Sequence, residues 1–146
     1  MTTVAIKNGE IAADTQLTGC YTYRVQKIFR LPDGSLVGGA GTWNKAYAAI
    51  SWLMESQGDP PKFEDASLLI LRPDGSLWMA DDEFPAYPLL DKFAAIGVGA
   101  LAAVTAMRAG LSAGDAVKAA CDIEPNTSGP VQMLSLEKKA PRKRGK

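Results

Sequence analysis

Asn8-Gly9, set between two short runs of alternating residues, is the feature that most restricts how this chain can fold. Both central residues of the tightest hairpin turn need positive φ, which Asn and Gly supply at little cost, so residues 2–7 and 10–15 read as paired antiparallel strands. The hairpin starts almost at the first residue, so it puts Thr2 at the head of an ordered sheet rather than on a loose tail. Thr2 is small enough for Met1 to be removed enzymatically. The exposed α-amine would then titrate at roughly 7.7–8.0, low enough to take the proton of the Thr2 hydroxyl as it attacks a carbonyl.

That self-supplied base matters because the chain contains no histidine. Ser-His-Asp and Cys-His hydrolases, imidazole bases and His-ligated zinc are therefore outside its reach. Its 146 residues, 47% hydrophobic, suffice for one domain with its own core. Charge balances at 16 cations and 16 anions, but residues 1–136 hold ten cations against fifteen anions, a net of −5 that argues against a nucleic-acid-binding core. The domain is expected over 1–136. Residues 137–146, rich in Lys and Arg, read as a basic, disordered tail for docking or solubility. Cys20 and Cys121 stand about a hundred residues apart in no metal or redox spacing, and no signal peptide or membrane span is evident. A cytoplasmic protein without membrane contact and without a cofactor is expected.

Further along, 21–31 reads as extended, with Val25, Lys27, Phe29 and Leu31 on one face, and 17–19 reads as a loop. Pro-Asp-Gly-Ser turns at 32–35 and 73–76 close two more hairpins. The glycine-rich 38–41 feeds a helix over 43–56, in which Trp43, Ala46, Tyr47, Ile50, Leu53 and Met54 recur at helical spacing. Residues 81–87, with Asp81-Asp82-Glu83, read as a solvated acidic loop rather than a metal site. A strand over 93–96 and two helices follow, the second opened by Ser112 with Asp115 as a capping pair, then a strand over 130–136. Gly97-Val98-Gly99-Ala100-Leu101-Ala102 has the outline of a dinucleotide fingerprint, but too little chain remains for the parallel sheet that it requires. Antiparallel sheets covered by helices fit the element order. Lys27 among apolar neighbours needs a carboxylate, and Asp14, on the strand paired with that of Thr2, is the candidate. The pair could be catalytic or a structural ion pair.

Together, 2–5, Ala12-Ala13-Asp14-Thr15-Gln16, 25–31, Gly38-Gly39-Ala40-Gly41 before a helix, and Ile96-Gly97-Val98-Gly99 resemble the proteasome-type N-terminal threonine peptidases, notably HslV peptidase subunits and small proteasome-like relatives. The resemblance implies an α+β fold, the four-layer αββα Ntn-hydrolase sandwich with two antiparallel sheets. It implies Thr2 as nucleophile, Lys27 and its partner Asp14 as the groups tuning its protonation, Gly41 as oxyanion donor, and Ser128 as a further member of the site. Val25, Phe29, Gly39 and Trp43 would line an apolar substrate pocket. A peptide or unfolded-protein substrate, a homo-oligomeric ring and an ATPase unfoldase are the implied partners. Trp43, Trp52 and Trp78 are candidate interface anchors. Two positions depart from the family pattern: Val98 stands where a serine is expected, and Pro125 where an aspartate is. A non-peptidase amidohydrolase and a catalytically silent assembly protein are the alternatives.

Overall fold

A computed structural model describes residues 2–137; the basic tail beyond Glu137 lies outside the described residues. Strands β1 (Thr3–Lys7) and β2 (Glu10–Ala13) form the expected hairpin, with Asn8 and Gly9 at φ 50° and 76°. They are the two central strands of a four-stranded sheet. β9 (Phe93–Gly97) lies beside β1 and β10 (Gln132–Ser135) beside β2, all antiparallel. The second four-stranded sheet runs β5 (Ile28–Arg30), β6 (Leu36–Gly41), β7 (Lys62–Leu71), β8 (Leu77–Leu89), again antiparallel.

The pleat sorts side chains by size. On the first sheet, Val4, Ile6, Ile11 and Ala13 face the second sheet and meet Leu36, Leu69 and Leu71 there. Ala5 and Ala12 point the other way, and these small residues let the alanine-rich helices α2 (Ala100–Arg108) and α3 (Ala113–Ile123) approach closely. On the second sheet, Val37, Leu68 and Ile70 face α1 (Trp43–Glu55) through Ala46, Ala49 and Ile50. The layers therefore run helices, sheet, sheet, helix. Burying each large aliphatic side chain between them contributes on the order of 2 kcal/mol, and both sheets are covered on both faces. This is the αββα sandwich. Among the described residues no helix is long and apolar enough to cross a membrane.

Three local expectations are corrected. The 17–19 loop is part of a two-stranded ribbon, β3 (Gln16–Thr18) with β4 (Thr22–Arg24). Residues 81–87 continue β8: Asp81 pairs with Ser67 and accepts from its hydroxyl (2.7 Å), and Asp82 accepts the Asp65 amide (3.0 Å) where the register shifts. Finally, 21–31 is not one strand. It breaks over residues 25–27, and β5 starts only at Ile28, so the alternation does not carry through: Ile28 joins the inter-sheet core, Phe29 turns to the α1 side, and Lys27 is released from the pleat. Ser112 caps α3 as expected, its hydroxyl accepting from the Asp115 amide at 3.2 Å.

Candidate active site

Three pieces of chain meet at the head of the first sheet. The β1–β2 hairpin carries Thr2 and Asp14 to the same end, since Val4 pairs with Ala13 and each residue lies just beyond its strand. The irregular 25–27 segment then lays Lys27 across both. Its ammonium donates to Thr2 Oγ1 (3.1 Å), to Asp14 Oδ1 (3.0 Å) and to the Gln16 carbonyl. Lys27 and Asp14 are wholly shielded from solvent and Thr2 retains 5% exposure. Burial holds the Lys27 ammonium below the usual lysine pKa, and the neighbouring Asp14 carboxylate opposes that shift without cancelling it.

Asp14 is fixed by more than its cation. Its Oδ1 also accepts the Thr3 amide (2.9 Å), and Oδ2 accepts the amides of Gln16 (3.2 Å) and Ser128 (3.3 Å). Four donors converge on one buried carboxylate, the arrangement a charge needs to stay inside a protein. The Asp14 amide returns a bond to the Thr3 carbonyl (3.1 Å).

Two glycines stand in the wall facing Thr2. A cavity of about 380 Å³ is lined by Thr2, Gly41, Thr42, Asp65, Gly97 and Val98. Gly41 has φ +97°, and a Cβ there would fall 2.2 Å from the Asp65 carbonyl. At Gly97, φ +96°, a Cβ would fall 1.9 Å from the carbonyl of Thr2 itself. Only glycine fits at either place. The Gly-Val-Gly segment thus serves close approach to Thr2 and Thr3, as does Gly99, whose Cβ would meet Thr3 Oγ1 at 2.1 Å.

Thr2, Lys27, Asp14 and Gly41 are thus brought together. Ser128 is adjacent through its amide on Asp14, while its hydroxyl donates to Gln16 Oε1 (2.7 Å) and accepts from Arg24 (2.8 Å). Val25, Phe29, Gly39 and Trp43 are not among the residues lining the Thr2 cavity. Phe29 and Trp43 flank Tyr47, with ring centroids 6.0 and 6.1 Å from it, and a Cβ on Gly39 would meet Ala46, Ile50 and Leu68 under α1. Val98 lines the cavity and is 39% exposed. Near the exposed Pro125, Glu124 is engaged by the Asn126 amide and side chain, both at 3.1 Å.

Residues outside the sequence expectations complete the site. Thr3 Oγ1 bonds Thr127 Oγ1 at 3.0 Å, with both residues buried. Gln16 supplies an acceptor to Lys27 through its carbonyl and to Ser128 through its side chain. Gln132 bonds the backbones of Asp14, Val25 and Lys27. Gln132 had a legible signal, since it shares its strand face with the inward Leu134; Gln16 lies in a segment that carries the resemblance, but nothing there marked its bonds to Lys27 and Ser128.

No protein-family profile matches the sequence, and no curated protein matches it. Solved structures do. BPH of Thiobacillus denitrificans in complex with epoxomicin matches at 22% identity over 94% of this chain and 99% of that one, TM-score 0.68. BPH solved under its own name gives 0.61 over the same spans. Eukaryotic HslV from Trypanosoma brucei matches at 20% identity over 94% of this chain and 100% of that one, TM-score 0.68. The fold class is α+β, the Ntn-hydrolase sandwich; more narrowly, it is the HslV-like, proteasome-type form of that sandwich.

Proposed function

We propose that this chain is a threonine-type endopeptidase whose nucleophile is Thr2, freed by loss of Met1. The observation that carries it is the buried contact of 3.1 Å between the Lys27 ammonium and Thr2 Oγ1, with Asp14 holding the lysine at 3.0 Å. Thr2 Oγ1 attacks the peptide carbonyl while the α-amine of the same residue accepts its proton. The Gly41 amide stabilises the oxyanion, the amine then protonates the leaving nitrogen, and water hydrolyses the resulting ester. Lys27 keeps the α-amine in its basic form by charge repulsion and favours a negative Oγ1. Ser128 supports the site by holding Asp14. By likeness to HslV, the protein acts in the cytoplasm on peptides or unfolded chains, as a homo-oligomeric ring served by an ATPase unfoldase, with no cofactor.

The test is mass spectrometry of native-source protein before and after incubation with epoxomicin, alongside a panel of fluorogenic peptides. The expected result is a mass lacking Met1, one adduct per chain mapping to Thr2, and peptide cleavage that Thr2→Ala abolishes. Met1 retained in active protein, or cleavage that survives Thr2→Ala, would overturn the assignment. Val98 in the cavity wall favours one second reading, a silent assembly protein, which predicts no adduct and no cleavage. Hydrolysis of small amides but not peptides would instead identify an amidohydrolase.

A further inference from the structure

We propose that Gln132 is a positioning residue that sets Lys27 against Thr2 by bonding the backbones of both members of the Lys27–Asp14 pair. β10 is an edge strand of the first sheet and places Gln132 opposite Ala13, one residue from Asp14. From there the side chain reaches across to the 25–27 segment. Its Oε1 accepts the Lys27 amide at 3.1 Å, while its Nε2 donates to the Asp14 carbonyl at 2.9 Å and to the Val25 carbonyl at 3.3 Å.

The need for this residue follows from the break in the strand. Residues 25–27 belong to no strand, so sheet pairing does not hold them as it holds Ile28. Val25 donates to the Thr15 carbonyl (2.9 Å) and the Lys27 carbonyl accepts from Gly39 (3.3 Å), leaving Gln132 to meet the Lys27 amide. A primary amide is suited to the place, since one planar group supplies an acceptor and two donors. Glutamate would lose the donors and an apolar side chain both kinds of bond. The ammonium sits at the end of a four-carbon stem, so a backbone shift at residue 27 moves Nζ away from Thr2 Oγ1, and reactions are sensitive to such shifts.

The rate consequence rests on Thr2 being the nucleophile; the positioning of Lys27 does not. Gln132→Met, matched in length but unable to form these bonds, separates the two. In NMR titration of the full chain with labelled lysine, Lys27 in the variant should titrate above wild type, as water reaches the ammonium. With peptide substrate, kcat should fall about tenfold with KM within about twofold, and the acidic limb of the rate profile should move to higher pH as the α-amine regains proton affinity. A lower melting temperature with Lys27 titration and the acidic limb both unmoved would overturn the proposal. If the variant does not fold, amide exchange in the wild type decides: the Lys27 amide should be strongly protected although outside a strand, and fast exchange there sinks the idea. Wild-type protein without Thr2-dependent cleavage would refute the peptidase assignment and leave the titration to judge Gln132.

Discussion

Two lysine–aspartate pairs in this molecule show how differently the same chemistry can be used. Lys118 and Asp115 stand one turn apart on α3, 3.9 Å between charged atoms, each side chain at least 60% exposed. Lys27 and Asp14 are 3.0 Å apart with no exposure at all. The first pair keeps its water and forfeits little if it parts. The second has given up its hydration, and desolvation outweighs the partner's attraction, so the lysine pKa stays lowered. A buried ion pair of this kind is a poor device for stability and a good one for holding a charge in place. What it is held against is Thr2 Oγ1.

The largest expected effect tests that purpose. Thr2→Ala removes the hydroxyl but neither charge, so peptide cleavage should fall by about 10⁴-fold or more, while the melting temperature stays near wild type. A large loss of stability together with a small loss of activity would mean that the pair exists for the fold. Next comes Lys27→Ala, which strands a buried carboxylate and should cost roughly 3–5 kcal/mol in denaturant unfolding, with cleavage lost as well. The sign of its pH dependence is fixed by the lowered pKa. The folded state releases the Lys27 proton before the unfolded state does, so between the lowered value and the ordinary 10.5 the unfolded chain binds more protons. Lys27 therefore makes stability rise with pH across that window and contributes no slope below it. Wild type should therefore show an alkaline rise in stability that Lys27→Met lacks, read from melting curves at increasing pH; the same alkaline slope in both proteins would contradict the assignment.

How far these differences could be read from sequence depends on the distance over which each is decided. The Asn8-Gly9 hairpin, the Ser112 cap and the Pro-Asp-Gly-Ser turns are settled by neighbouring residues, and each is present. Lys27 was visible as a cation in an apolar run that needed a carboxylate, yet its face was misassigned. Nothing local announces that the strand fails at 25–27, because the cause is a set of bonds to Gln132, Thr15 and Gly39. Asp81 and Asp82 looked like a solvated loop for a related reason: the residues that they bond, Ser67 and Asp65, lie 14 and 17 residues away. Thr127 meets Thr3 across 124 residues, a pairing that neither segment signals alone. The cavity by Thr2 likewise draws Gly41, Gly97 and Val98 together from separate parts of the chain, while Gly39 faces α1.

Glycines give a second form of the contrast between site and periphery. Gly97 and Gly75 have nearly the same φ, +96° and +88°, but the space around Gly75 is empty whereas a Cβ at Gly97 would strike the Thr2 carbonyl. Gly75→Ala should cost about 1 kcal/mol, the strain of the left-handed backbone alone. Gly97→Ala adds the collision, so about 3 kcal/mol is expected, with Thr2 displaced and cleavage impaired. Equal costs for the two would show that Gly97 serves backbone conformation and not the approach to Thr2.

The smallest effect belongs to the exposed pair. Lys118→Ala removes a charge that water already solvates, at an i, i+3 spacing and 3.9 Å, and alanine has the better helix propensity, so the net change should stay within about 0.5 kcal/mol. Asp115 is the more informative partner, because it also lies in the first turn of α3, where a negative charge favours the helix dipole. Asp115→Ala should therefore destabilise more than Lys118→Ala, by a few tenths of a kcal/mol, with the difference shrinking in high salt. If Lys118→Ala instead approached the cost of Lys27→Ala, solvent exposure would not be what separates the two pairs, and the case for a lysine kept buried to serve Thr2 would lose its reference.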